Sequence, residues 1–174
     1  MKSFIVYTDG SYLSGSGEVH GGIVFVPTED GMEARRIHVL TRLSEFVSMN
    51  NVGGEVLAAW CAIYSVVNEV KKLNEQSMDT YELNLVYDYK GIGEWATRGW
   101  KRNRPATIWF EKSVNEMLES VPNLKVNYIW IKGHADTEWN EEADSVAYYT
   151  MAYAKGAGFP ICDMDEVLKE VFNK

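Results

Sequence analysis

The chain has 174 residues, 46% hydrophobic and 24% charged, and 25 acidic against 17 basic side chains give it a formal net charge of −8. That length supports one good core rather than two domains; no run reaches the ~18 apolar residues of a membrane span, and Met1-Lys2-Ser3-Phe4-Ile5 enters a strand pattern with no secretory leader expected. The acidic balance argues against a general nucleic-acid binder, which carries basic excess, unless divalent cations offset part of it.

Cys61 and Cys162 lack CxxC or zinc-ligand spacing. Cys61 falls in an apolar helical pattern, where a buried free thiol is expected, and this usage suits a reducing, cytoplasmic setting. In chain order, Phe4 to Thr8 (FIVYT) reads as a buried strand ending at Asp9-Gly10-Ser11. A Gly/Ser-rich stretch through Gly17 turns into a second strand, Gly21 to Val26, stopped by Pro27. A polar turn with Asp30-Gly31 leads to a third strand, Arg35 to Leu43. Short turns make these three an antiparallel meander.

From Glu55 to Leu73 the spacing changes: Val56, Ala59, Trp60, Ile63, Val66, Val67 and Val70 recur at three and four residues, an amphipathic helix. Leu83, Leu85 and Tyr87 alternate as a strand that ends at Asp88. Gly91 to Thr97 reads as a short helix, Gly99 to Pro105 as a basic connection, and Ala106 to Leu118 as a helix. A strand at Leu124 to Ile131, a loop at Lys132 to Thr137 and a helix at Glu138 to Ala154 follow. Gly156 to Pro160 breaks the chain before a last short helix within Asp163 to Phe172. Right-handed crossovers place the two later strands parallel in the same sheet. The expected class is α/β, one mixed five-stranded sheet of three antiparallel and two parallel strands, with helices on both faces.

Asp9 and Asp88 each sit where an apolar strand gives out, and ligands of open α/β sheets collect at strand carboxyl ends. Glu55 opens a helix and Asp144 lies within one, so both can point at the same spot. Crowded carboxylates are costly, and a hard divalent cation relieves the repulsion. Taken singly, each has a plainer explanation: a turn residue, a helix-start carboxylate favoured by the macrodipole, or a solvated helix face. Strand and helix patterns alone do not select these four among 25 acidic residues.

The local sequences do. Tyr7-Thr8-Asp9-Gly10-Ser11, Asn50-Asn51-Val52-Gly53-Gly54-Glu55-Val56-Leu57-Ala58-Ala59, Val86-Tyr87-Asp88-Tyr89, Lys132-Gly133-His134-Ala135 and Asn140-Glu141-Glu142-Ala143-Asp144 resemble, in order and separation, the five motifs of type 1 ribonucleases H. Together they span Tyr7 to about Ala154. Gly91-Ile92-Gly93-Glu94-Trp95-Ala96 with Gly99-Trp100-Lys101 is also similar to a bacterial branch related to viroplasmin-linked enzymes. In that branch a hybrid-binding module often precedes the catalytic domain, and here it is expected to be absent. Three departures stand out, one of them the tail after Gly156, which has no counterpart in the family pattern. The Asn pair sits one residue farther from Glu55 than is usual, and Gly54 replaces the usual Ala.

The resemblance implies a ribonuclease H-like fold and an endonuclease that hydrolyses the RNA strand of RNA–DNA hybrids. Asp9, Glu55, Asp88 and Asp144 would hold two Mg²⁺ ions, with Mn²⁺ as substitute and Asp9 bridging. One ion would activate water and the other would stabilise the leaving 3′-oxygen, giving 5′-phosphate and 3′-hydroxyl ends. His134 would assist proton transfer or product release, whereas His20 and His38 read as structural. Gly10, Ser11 and Glu55 would face the RNA strand, where the 2′-OH identifies RNA. Asn50 and Asn51 would reach minor-groove edges, and Trp100 and Lys101 would contact the backbone.

Burial is the simpler reading for Trp95 and Trp100. The basic connection is too short for the extra basic helix of some relatives, so substrate grip should be modest and salt-sensitive. The expected organisation is a catalytic domain over residues 1–155 with a C-terminal extension, 156–174, packed on it as a short helix. The expected state is a monomer with no membrane or obligate protein partner. The alternatives are a junction or DNA nuclease of the same fold and a non-catalytic nucleic-acid-binding domain. Proofreading exonucleases use an Asp-x-Glu first motif, which Asp9-Gly10-Ser11 does not match.

Overall fold

Apolar alternation in the first 41 residues produces three strands, β1 (Lys2–Tyr12), β2 (Val19–Phe25) and β3 (Arg35–Thr41), paired as an antiparallel meander. The computed structural model describes residues 1–133, 138–148 and 158–172. After the meander come α1 (Ser44–Val47), α2 (Asn51–Asn74), β4 (Tyr81–Tyr87), α3 (Gly91–Ala96), α4 (Pro105–Glu119) and β5 (Leu124–Trp130). The chain closes with α5 (Glu138–Tyr148), β6 (Ile161–Asp163) and α6 (Asp165–Phe172). The sheet order is β5-β4-β1-β2-β3-β6, with β4 parallel to β1 and β5, and β6 parallel to β3.

The seven apolar positions that define the α2 stripe are all buried against the sheet. They meet Val6, Ile23, Val39, Leu83 and Leu85 in one core. The opposite face of the sheet is covered by α5, where Ala143 and Val146 pack on Val24. Helices thus cover both faces, as the crossover argument requires.

Several boundaries differ from the sequence expectation. The sheet has six strands rather than five, because β6 adds to β3. Three residues are too few to show alternation, and the pairing is held by backbone bonds at its ends, His38 N–H to Pro160 O (3.0 Å) and Met164 N–H to Leu40 O (2.9 Å). The α6 helix sinks Leu168 completely into the main core and sets Phe172 edge-on to Phe46. A single turn, α1, was not anticipated; four residues carry no readable period.

The α2 helix starts at Asn51 rather than Glu55. Gly53 and Gly54 weaken the helical pattern there, yet both are helical, and neighbouring backbone leaves no room for a side chain at either. A Cβ on Gly53 would lie 2.0 Å from Phe46 O, and one on Gly54 would lie 2.3 Å from His20 O.

Candidate active site

Asp9 lies inside β1 rather than in the turn beyond it, since β1 runs on to Tyr12 and pairs Asp9 with Gly22. Its parallel neighbour is shorter: the last β1–β4 pair is Tyr7 with Val86. β1 therefore outruns β4, and the crevice this opens is flanked by Asp9 on one strand and by Asp88, the residue after β4, on the other.

Glu55 sits one turn into α2 and is brought down by a close backbone approach. A Cβ on Gly10 would fall 2.2 Å from the Glu55 nitrogen and 2.5 Å from Asn51 O, so only glycine lets the helix start touch the strand. The result is a cluster of Asp9, Glu55 and Asp88 whose carboxylate oxygens lie within 4.8 Å of one another. Asp9 and Glu55 are only 5% and 3% exposed. Asp144, exposed on α5 at the other face of the sheet, is near enough to push the Asp9 carboxyl up.

Burial and mutual repulsion make the charged forms of this cluster costly. Burial pushes the Asp9 carboxyl up to about 7. Asp88 and Asp144 push the same way, while Glu55 and the Gly10 amide oppose them. That amide donates to Asp9 Oδ1 at 2.8 Å and fixes the carboxylate's orientation. Glu55 is held well above its ordinary value, by burial first and then by Asp9 and Asp88. Among the described residues Glu55 Oε2 is buried with no hydrogen-bond partner. A buried acceptor left bare costs ~1–3 kcal/mol; a divalent cation held by the trio would supply the missing positive partner and offset the mutual repulsion. The donor set, all hard oxygen, fits a hard divalent ion.

The remaining sequence candidates fall around this cluster. Gly10 and Ser11 continue β1 past Asp9, and both are partly exposed. Asn50 and Asn51 are exposed at the start of α2. Asn50 has a φ of 54° with a ψ of −136°, a strained positive-φ backbone that glycine favours. Trp95 is buried as the packing argument expected, but Trp100 is 39% exposed and stands edge-on to Tyr89 and Trp95, next to exposed Lys101. Burial was thus the right reading for one tryptophan of the two. Arg98 is engaged by Glu111, and Arg102 donates to Trp100 O. His134 lies outside the described residues.

Sequence reasoning missed Trp130. Its indole N–H donates to Asp88 O at 2.9 Å, bracing the third carboxylate's backbone, and Lys90 lies over its ring at 5.7 Å. Its position at the end of the strand beside Asp88 was the available signal. His20 and His38 are internal, as expected of structural residues, with His38 fully buried. Cys61 is a buried free thiol and Cys162 a partly buried one.

The sequence model described as RNase H matches residues 1–151. The chain belongs to the RNase H family. Among curated relatives of this RNase H-family chain, the Ribonuclease H of Jannaschia sp. (strain CCS1) is 30% identical over 157 residues, 87% of this chain and 93% of that protein. The Ribonuclease H of Hyphomonas neptunium is 32% identical over 88 residues, and that match spans 48% of this chain and a little over half, 58%, of the relative. Among solved structures, LC11-RNase H1 in complex with RNA/DNA hybrid aligns with a TM-score of 0.58 at 18% identity, covering 87% of this chain and 99% of that one. That likeness shows the RNase H fold. Among the described residues no helix is long and apolar enough to cross a membrane.

Proposed function

We propose that this chain is an endonuclease that hydrolyses the RNA strand of RNA–DNA hybrids, leaving 5′-phosphate and 3′-hydroxyl ends. Membership of the RNase H family and curated relatives named Ribonuclease H support the activity; a neighbour of the same fold is known in complex with an RNA/DNA hybrid. The observation that carries the chemistry is the convergence of Asp9, Glu55 and Asp88 with a bare buried oxygen on Glu55. Asp9, Glu55, Asp88 and Asp144 would hold two Mg²⁺ ions, or Mn²⁺ in their place. When bound, such ions supply a polarised water for in-line attack and charge stabilisation for the leaving 3′-oxygen.

The chain's own groups do the rest. The Gly10 amide orients Asp9, and Trp130 braces the backbone of Asp88. Gly10, Ser11 and Glu55 face the RNA strand, Asn50 and Asn51 reach the minor groove, and Trp100 and Lys101 grip a backbone phosphate. His134 moves a proton or speeds product release. The catalytic unit covers residues 1–155 with 156–174 as an extension of the same domain, working as a cytoplasmic monomer without a membrane or obligate protein partner.

The test is cleavage of a labelled RNA–DNA hybrid with Mg²⁺, alongside DNA duplex, RNA duplex and junction DNA. Only the RNA strand of the hybrid should be cut. Asp9→Asn should lower the rate by about a hundredfold or more, as loss of a metal ligand's geometry does. No cleavage by wild type with any divalent ion would overturn the activity, and full activity in Asp9→Asn would overturn the site.

A further inference from the structure

Two histidines lie across the sheet beneath α5. His38 is fully buried on β3, and His20 on β2 is 14% exposed. His38 Nδ1 is 2.6 Å from the carbonyl of Val146 on α5. His38 Nε2 is 2.8 Å from His20 Nδ1. A carbonyl only accepts, so His38 carries its proton on Nδ1 and, neutral, accepts at Nε2; His20 Nδ1 must then be the donor. His20 Nε2 lies 3.1 Å from Glu18 Oε2, a contact that is a hydrogen bond only when His20 is protonated on both nitrogens, and the other Glu18 oxygen meets Arg42 Nε at 3.1 Å. The Val146 carbonyl thus sets the His38 tautomer and His38 sets that of His20, and the pair is anchored on the helix that bears Asp144.

The row beneath that helix ties the histidine to the carboxylates. Asp9 pairs with Gly22, and Gly22 pairs with His38, so the three lie side by side across β1, β2 and β3. At the centre of the row α5 touches the sheet backbone: a Cβ on Gly22 would lie 2.2 Å from Ala143 O and 2.6 Å from Ala147 N. Gly22 lets α5 come close but offers no side chain to hold it there. Two polar contacts tie β3 to α5: Arg36 pairs with Glu142 near the helix's outer side, and His38 reaches the Val146 carbonyl, two residues beyond Asp144, directly beside the Gly22 contact. A smooth glycine contact permits sliding along the helix axis; a directed hydrogen bond to one carbonyl does not.

We propose that His38, oriented by His20, is a positioning residue that fixes α5 on the sheet so that Asp144 faces Asp9. This rests on reading Asp9, Glu55, Asp88 and Asp144 as one metal site. His38 touches neither metal nor substrate; it acts through the helix backbone.

The test measures Mn²⁺ binding to the metal-free full chain by the loss of the free-ion paramagnetic resonance signal. His38→Leu, which removes both bonds, should weaken binding about tenfold, the lower end of what loss of a supporting contact costs a metal site. His38→Asn restores an amide donor near the Nδ1 position and should stay within about threefold of wild type. In an Asp144→Asn background His38→Leu should add less than about twofold, since the residue it positions is no longer a ligand; non-additivity of this kind identifies coupling. A full tenfold loss in that background would mean general loosening and overturn the proposal, as would unchanged binding in folded His38→Leu. If wild type itself binds no Mn²⁺, the metal-site reading fails and the proposal with it. Should His38→Leu not fold, ¹⁵N spectra of the wild-type imidazoles decide: His38 must be protonated at Nδ1 and show coupling to the His20 proton at Nε2, and the opposite tautomer would overturn the assignment.

Discussion

Asp9 shows how much a residue's neighbours change its chemistry. Unfolded, it ionises near its ordinary value of 3.8; folded and metal-free, burial first and then Asp88 and Asp144 raise it to about 7. The folded chain therefore binds the extra proton between those values. By linkage, this contribution to stability falls as pH rises from about 4 to 7. Glu55, raised by burial and by Asp9 itself, adds to the same slope. Metal-free wild type should therefore lose thermal stability relative to Asp9→Asn as pH climbs through that window. A flat difference between their melting curves would show that burial does not govern the site. Divalent ions should stabilise wild type more at pH 8 than at pH 5.5, because binding displaces those protons.

The three carboxylates that converge, Asp9, Glu55 and Asp88, could be picked out because the segments that carry them, such as Asp9-Gly10-Ser11, are local in sequence. The drying of Glu55 could not. It depends on Gly10 and Gly54 allowing two backbones to touch, a contact between segments more than 40 positions apart in the sequence.

Among elements, the opening turn of α2 is the most exacting. At Gly54 the His20 carbonyl occupies the space a methyl group would need. Gly54→Ala, normally favourable in a helix, should instead destabilise by about 1–3 kcal/mol as an overpacked contact, read from urea unfolding. A gain in stability would mean that α2 can shift away from the strand at little cost.

Long elements with a sustained period were legible: the buried stripe of α2 could be named residue by residue. The short ones were not. β6 gains its meaning from β3, and Arg42 secures it by pairing with Asp163 (2.8 Å) and Asp165 (3.2 Å), an ion-pair cluster that no local pattern announces. The α6 helix belongs energetically with the sheet, since Leu168 is wholly inside the main core. Leu168→Ala should cost about 2–5 kcal/mol while leaving a single unfolding transition. A separate early transition would show the C-terminal segment opening alone.

At the scale of the whole molecule the governing fact is a charge of −8 on a chain read as a nuclease. The basic connection before α4 offers Lys101, Arg102 and Arg104 at its exposed or half-exposed positions, while Arg98 is engaged by Glu111. Three phosphate contacts predict a log–log salt slope of about −3 for hybrid binding, measured with Asp9→Asn so that no cleavage intervenes. A slope steeper than about −6 would require a basic surface elsewhere. The topology could be anticipated because right-handed crossovers leave few choices. The way acidic charge is distributed in space could not, because composition counts charges without locating them.

β1 occupies the middle of the six strands, bonded to β4 on one side and β2 on the other. Sheets fray from their margins inward, and central strands open only with the whole domain. The Val6 and Thr8 amides should thus be among the slowest in the molecule to exchange with deuterated solvent, and β6 amides among the fastest. The strand that carries the first carboxylate is then the last to come apart, so partial opening at the periphery leaves the spacing of the reactive cluster intact.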